Sequence, residues 1–275
     1  MNGIKKIALI TGASSGIGTT TALLLHQKGY VVYAAARRLD RMKELQAQGI
    51  HILRMDVTIE ESMVKGVETI ISEQGSIDIL INNAGYGSYG ALEDVPIAEG
   101  KYQFEVNVFG MARLTQLILP HMRKNHYGKI INISSIAGKI YEPMGSWYHA
   151  TKFAVEGMSD CLRLEVKDFG IDVIVIEPGL IKTEWSGIAV EKLLKVSGNT
   201  AYKYLAQKDA NLLNLTIKRA SEPTLISRII LKSILAKKPK TRYSAGTASW
   251  ASLFFRKILT DKMFDKLMMT IIKRV

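Results

Sequence analysis

The stretch IALITGASSGIG, residues Ile7 to Gly18, decides how the rest of the chain is read. Ile7 to Thr11 is a short apolar, β-branched run of the kind a buried strand needs. Gly12, Gly16 and Gly18 follow it directly, at the head of a helical pattern that continues to Lys28. Glycine lets a backbone turn tightly and approach a pyrophosphate closely, and a helix start offers unpaired N–H groups and the positive end of a dipole. Gly12, Ser14, Ser15, Gly16, Ile17 and Gly18 are therefore candidate phosphate-binding residues. The spacing here, Gly-x-x-x-Gly-x-Gly, differs from the Gly-x-Gly-x-x-Gly fingerprint of dinucleotide sites. On its own the turn is equally compatible with a tight bend that holds no ligand.

Similar apolar runs recur outward from this turn, at Tyr30 to Ala36, Ile50 to Met55, Ile77 to Asn82, Lys129 to Ser134 and Ile171 to Glu177. Between them lie stretches of helical spacing, Arg38 to Gln48, Glu60 to Glu73, Lys101 to Lys124 and Trp147 to Phe169. Alternating strand and helix predicts an α/β fold, a doubly wound parallel sheet of Rossmann type, with ligands at the carboxyl ends of the strands. No repeat, low-complexity tract or linker divides the chain, so a single domain is expected. It would comprise a catalytic body over residues 1–246 with a substrate-loop region at 180–221, and a helical extension over 247–275. In the last third a helix is predicted at Glu222 to Ala236 and a short strand at Thr241 to Ser244.

Composition narrows the classes. The chain has 275 residues, 47% apolar and 23% charged, and a single cysteine, Cys161, which excludes an internal disulfide. Met1 to Ile10 lacks the pattern of a secretory leader, and the expected setting is reducing and cytoplasmic. The net charge of +12 is concentrated in residues 211–275, which hold 14 Lys and Arg against 3 Asp and Glu. No nucleic-acid motif accompanies it, so nucleic acid is not expected as a partner. The five histidines show no metal-ligand spacing, and no metal is expected. Ser14-Ser15 in this glycine turn is not read as a hydrolase elbow, because a helix cap accounts for the hydroxyls.

The second strand bears on cofactor identity. It ends YAAARR, with Ala36 where an NAD enzyme places a carboxylate for the ribose hydroxyls, followed by Arg37 and Arg38. Guanidinium groups there favour a 2'-phosphate and hence NADP, with NAD less favoured. Two arginines opening a solvated helix is the plainer alternative. Further on, YHATK places Tyr148 and Lys152 four residues apart on one helix face, and Ser135 ends the strand INISS upstream. An ammonium near a phenol favours the ionised form and brings the tyrosine toward the working range of an acid/base.

Taken together these motifs resemble the short-chain dehydrogenase/reductase family. The resemblance runs from Lys5 to about Tyr243 and rests on TGASSGIG, Asp56, NNAG at Asn82 to Gly85, Asn107 in NVFG, Ser135, Tyr148, Lys152, and Pro178-Gly179 with Thr183. It implies about seven parallel strands and hydride transfer between a nicotinamide and a carbonyl or alcohol. Tyr148 would be the proton donor or acceptor and Ser135 would bind the same substrate oxygen. Lys152 would lower the tyrosine pKa and hold the nicotinamide ribose, and the Asn107 side chain would help bind a relay water. Asp56 and Val57 would flank the adenine, and Asn83, Ala84 and Gly85 would wall the adenine ribose. Pro178, Gly179, Ile181 and Thr183 would contact the nicotinamide. A homodimer or homotetramer on the helices of Lys101 to Lys124 and Trp147 to Phe169 is also implied, as is a likeness to the hydroxysteroid and retinol dehydrogenase-like branch. A dinucleotide-binding sensor or scaffold without turnover is the alternative.

Substrate identity is not legible. The segment after Gly179 is apolar, with Trp185, Leu193, Leu194, Val196, Tyr202, Tyr204, Leu205, Leu212 and Leu213, which suits a lipophilic substrate or ordinary packing. In the tail, Trp250, Leu253, Phe254, Ile258, Phe264, Leu267, Met268 and Ile271 fall near helical spacing, interrupted around Thr260-Asp261, and leave one apolar stripe beside a basic face. Such a helix either packs on the body, where it can cover the pocket, or lies peripherally on an anionic membrane surface.

Overall fold

A computed structural model describes residues 5–275; the leader reading at Met1 to Ile10 falls partly outside the described residues. Seven strands, β1 (Ile7–Thr11), β2 (Val31–Ala36), β3 (His51–Arg54), β4 (Ile79–Asn82), β5 (Gly128–Ile133), β6 (Ile171–Pro178) and β7 (Arg242–Ala245), form one sheet in the order β3-β2-β1-β4-β5-β6-β7. Every pairing is parallel. The order reverses between β1 and β4, where Ile10 lies beside Ile81, and the crevice at the carboxyl ends of these strands is where such sheets take ligands.

The helices are α1 (Gly16–Gln27), α2 (Lys43–Ala47), α3 (Glu60–Gln74), α4 (Ile97–Phe104), α5 (Gly110–Lys124), α6 (Ser146–Glu165), α7 (Trp185–Ser197), α8 (Lys203–Ile217), α9 (Pro223–Leu235), α10 (Ser249–Ile258) and α11 (Asp261–Lys273). Strand side chains alternate between faces, so β1 feeds two cores. Ala8 and Ile10 pack with Leu25 of α1, Leu45 of α2, and Ile226 and Ile230 of α9. Ile7 and Leu9 pack with Val67 and Ile70 of α3 and Leu114 and Ile118 of α5. Burial on both faces explains why β1 and β4 read as unbroken apolar runs.

The expected elements form, with local differences. The stretch Arg38 to Gln48 is a 3-10 turn, Leu39–Met42, followed by the short α2. The helix expected from Lys101 starts earlier, at Ile97, and carries a π-helical turn at Glu105–Phe109 between α4 and α5. The helix expected to reach Phe169 ends at Glu165 and passes through a 3-10 turn, Lys167–Phe169. The irregular segment after Gly179 resolves into α7 and α8, and the tail is two helices broken at Leu259 and Thr260.

That break divides the single predicted stripe. Phe264 is buried and packs with Ile136, Ile140, Leu253 and Met268, whereas Trp250, Phe254 and Ile258 of α10 stay exposed. Ile272, which lies outside the stripe read from the sequence, is fully buried.

Candidate active site

The loops after β1, β2, β4, β5 and β6 converge on one cleft of about 550 Å3. At its floor the backbone decides the shape. Gly12 has φ +64°, and a Cβ there would lie 2.8 Å from the Ala84 Cα. Gly18 does not line the cleft but backs the turn, since its Cβ would fall 2.4 Å from the Gly12 carbonyl oxygen. The turn is fastened by the Asn83 side-chain amide, which donates to the Thr11 and Gly12 carbonyls at 2.9 and 3.1 Å. Thr11 Oγ1 accepts from the Asn83 and Ala84 backbone N–H groups. Ser15 stands at the N-cap of α1 without a side-chain capping bond, so the first N–H groups of the helix keep their capacity for an anion.

The other predicted dinucleotide positions gather around this floor. Ser14, Ser15, Gly16, Ile17, Arg37, Arg38, Asp56, Val57, Asn83, Ala84, Gly85, Pro178, Gly179, Ile181 and Thr183 all line the cleft. Ala36 is buried at the end of β2, and Arg37 and Arg38 are exposed at the rim beyond it. One Arg37 nitrogen donates to the Tyr102 hydroxyl at 3.0 Å, leaving most of the guanidinium fork available. The Asp56 carboxylate accepts from Thr58 N and Oγ1 and is thereby fixed in its turn. An open glycine cradle and a helix start with uncapped donors fit the pyrophosphate of a nicotinamide dinucleotide.

Ser135, Tyr148 and Lys152 meet at the middle of the cleft. Ser135 follows β5 and caps a 3-10 turn, accepting from Ala137 N at 3.1 Å, while its hydroxyl makes only a long 3.4 Å contact to the Pro178 carbonyl. That leaves the hydroxyl able to turn to a substrate oxygen. Tyr148 is buried, and burial pushes its phenol up to about 12, while the nearby Ser135 hydroxyl acts in the lowering direction. Burial pushes the Lys152 ammonium down to about 8. Its Nζ donates to the Ile133 carbonyl at 2.9 Å and lies 5.8 Å from the centre of the Tyr148 ring. In the protein's own arrangement burial of the phenol prevails over the depression expected from Lys152. Desolvation of the phenol outweighs an ammonium that is turned to a backbone carbonyl.

Asn107 sits in the π-helical turn, a distortion common at functional sites, and does not line the cleft. Its Oδ1 accepts from Tyr86 N at 3.0 Å, and its Nδ2 donates to the Tyr86 carbonyl and to Thr151 Oγ1. Both amide hydrogens have protein partners, so a water could use only the remaining lone pair of Oδ1. The evident work of the side chain is to hold the Gly85-Tyr86 loop against α6.

The far half of the cleft is roofed by helices. Trp185 of α7, Leu212 and Leu213 of α8, and Met268 and Ile271 of α11 line it. Of the nine apolar residues read after Gly179, only Trp185, Leu212 and Leu213 face the cleft, whereas Leu193 is core and Tyr204 is exposed. The sequence reading missed Tyr89, Glu142, His149 and Asp209, which also line it. A carboxylate among apolar helix positions was the one available signal, at Asp209 within the pattern of α8.

Comparison with known proteins places this site in a class. A family model described as short chain dehydrogenase matches residues 6–193, and the chain belongs to that family. It is an oxidoreductase acting between CH–OH and C=O with a nicotinamide dinucleotide. It is 38% identical over 242 residues to a 3-ketodihydrosphingosine reductase of Bacteroides thetaiotaomicron, covering 88% of each chain. It is 34% identical over 286 residues to an NADPH-dependent 3-dehydrocapnine reductase of Ornithobacterium rhinotracheale, covering 98% of each. A solved short-chain dehydrogenase from Streptomyces avermitilis superposes with a TM-score of 0.82 at 30% identity, over 97% of this chain and 96% of that one.

Proposed function

We propose that the enzyme uses NADP to interconvert a ketone and an alcohol on a lipophilic substrate, with Ser135, Tyr148 and Lys152 as its catalytic groups and Asn107 as a positioning residue. The observation that carries this reading is the continuity of one cleft, from the glycine turn and Arg37 through Tyr148 to an apolar chamber under α8 and α11. The NADPH dependence of the 3-dehydrocapnine reductase supports the choice of cofactor. The dinucleotide, when bound, supplies or accepts the hydride. The protein's residues hold the reacting oxygen and manage its proton.

In the direction of reduction, Ser135 Oγ–H donates to the carbonyl oxygen and fixes it beside Tyr148. The buried phenol stays protonated through the neutral range, which keeps it in the donor form that reduction needs. Lys152, with its proton held loosely, restores that proton and places a positive charge beside the phenolate as it forms. The roof of α7, α8 and α11 keeps water from the exchange. A panel of ketones and alcohols of increasing chain length, run with NADPH and NADH and followed by nicotinamide absorbance, tests the reading. Turnover that rises with chain length and prefers NADPH is the expected result.

Two further parts of the reading concern surfaces. Among the described residues no helix is long and apolar enough to cross a membrane. Trp250, Phe254, Phe255 and Ile258 nevertheless lie exposed on α10 beside Lys257, which supports peripheral attachment to an anionic bilayer that delivers the substrate. Phe109, Phe153, Met158 and Leu164 lie exposed at the start of α5 and on α6, which supports a homodimer built on those helices. Light scattering at micromolar concentration tests the latter, and a monomer would remove it without touching the chemistry.

A further inference from the structure

The chemistry described above leaves one polar cluster of the cleft unused. Asp209, projecting from α8, is 1% exposed, and neither carboxylate oxygen has a hydrogen-bond partner among the described residues. Glu142, which also lines the cleft, accepts from the Tyr89 hydroxyl at 2.9 Å and lies 3.8 Å from His149 Nε2. His149 Nδ1 rests against the Ala137 and Ile140 carbonyls at 2.9 and 2.8 Å, so that nitrogen must carry a hydrogen. A neutral ring would then turn a lone pair toward the Glu142 carboxylate, and protonation removes that repulsion. Burial opposes the charged ring, but Glu142 and the two carbonyls raise its pKa above the usual value. His149 and Tyr89 thus satisfy Glu142, and Asp209 is left without a counter-charge.

Among the described residues no Lys or Arg side chain answers it. Arg37, Arg38 and Lys152 are the basic side chains that line the cleft, the first two at its cofactor rim and the third bonded to Ile133. Burial, reinforced by Glu142, pushes the Asp209 carboxyl up to about 8. A buried carboxyl without partners is costly, and replacing it with an apolar residue would ordinarily stabilise a fold. A ligand hydroxyl could donate one bond but would bring no charge. Among the described residues no three His, Cys, Asp or Glu side chains are grouped so as to hold a metal ion. What the site lacks is an organic cation.

We propose that Asp209 receives a primary ammonium group of the substrate, so that the enzyme acts on amino ketones and the corresponding amino alcohols. The proposal rests on the reading that the chamber beside Tyr148 is the substrate site. Its placement follows from Tyr89, whose ring centre lies 5.8 Å from that of Tyr148 and 5.6 Å from that of Trp185, while its hydroxyl reaches Glu142. One tyrosine ring therefore separates the acidic cluster from the proton donor, and the ammonium is carried near the reacting carbonyl. The apolar remainder of the molecule continues under Leu212, Leu213 and Met268.

Calorimetric titration of the NADP-saturated enzyme with octylamine and with 1-octanol near pH 7.5 tests this without requiring turnover. The amine is expected to bind on the order of 10- to 100-fold more tightly than the alcohol, the range one buried charge-assisted contact supports. That ratio should collapse toward about one in both Asp209→Asn and Asp209→Leu, since neither variant can supply the carboxylate that pairs with the ammonium. Equal affinities in the wild type, or a preference that survives in both variants, would overturn the proposal. Failure of the underlying oxidoreductase reading looks different: the amine preference persists, while no ketone of any kind consumes NADPH.

Discussion

The two halves of the cleft are made of different material. The dinucleotide half is mostly backbone: a glycine turn, a helix start and strand ends whose positions are set by the pairing of β1 with β2 and β4. The other half is mostly side chain, contributed by α7, α8 and α11, none of which belongs to the sheet. Backbone geometry constrains sequence tightly, because few residues other than glycine tolerate φ +64° at Gly12. A side-chain wall constrains sequence loosely, because many apolar residues of similar volume fill it. On the proposed reading the first half takes the cofactor and the second takes the substrate.

The most severe way to break this arrangement is at the seam between the halves. Tyr148→Phe removes the proposed proton donor while keeping the ring against Tyr89 and Trp185. Turnover is expected to fall by at least ~10²-fold with cofactor affinity largely retained, measured by steady-state kinetics beside cofactor titration. Retained activity would move the proton donor elsewhere.

The rim of the backbone half offers the next test. Arg37→Ala should weaken NADPH relative to NADH on the order of 10-fold or more, because a guanidinium–phosphate contact is lost with one cofactor only. A parallel loss with both cofactors would mean that the arginine does not read the 2'-phosphate and that its bond to Tyr102 is its main role.

These tests follow the line along which the sequence could be read. The strand and helix order of the first 180 residues was legible because periodicity is a local property, and the clustering of Ser135, Tyr148 and Lys152 was legible through the family resemblance. The pKa relation between Tyr148 and Lys152 was not, because it depends on burial and on the Ile133 carbonyl, which lies 19 residues away from Lys152. Gly18 read as a cofactor-binding residue and Asn107 as the holder of a relay water; in the fold Gly18 backs the turn and Asn107 fastens Tyr86. The acidic cluster was invisible because Glu142 and Asp209 lie on separate elements that only the tertiary fold brings to one cavity. The interruption near Thr260-Asp261 was legible in the tail, but that it separates an exposed α10 face from a buried α11 face was not, because burial depends on what each helix meets in the fold.

The side-chain half can be probed through stability as well as binding. The Asp209 carboxyl holds its proton more tightly in the fold, at about 8, than in the unfolded chain near the ordinary 3.8. The native state then binds more protons than the unfolded state across that interval, so this group makes stability fall as pH rises from about 4 to about 8. Asparagine does not titrate. The melting temperature of Asp209→Asn is therefore expected to gain on that of the wild type through this window and to exceed it by several degrees at pH 8. A constant difference between the two proteins from pH 4 to pH 8 would mean that Asp209 is ionised throughout.

The smallest effect on stability is expected at the outer surface of α10, where the comparison between halves gains a third term. Phe264 and Ile272 of α11 are buried, so deleting the whole tail would open the core and the roof of the cleft together. Trp250 and Phe254 stack on each other at a ring separation of 5.1 Å but remain exposed, 74% and 42%. Removing exposed side chains usually shifts stability by no more than about 0.5 kcal/mol. The double variant Trp250→Ala, Phe254→Ala should therefore melt like the wild type and turn over a water-soluble ketone at the same rate. It should lose co-sedimentation with vesicles containing anionic lipid, binding that in the wild type weakens with added salt as Lys257 and Lys262 are screened. If the wild type stays in the supernatant at low salt, α10 is not a membrane contact, and its exposed aromatics call for a protein partner instead.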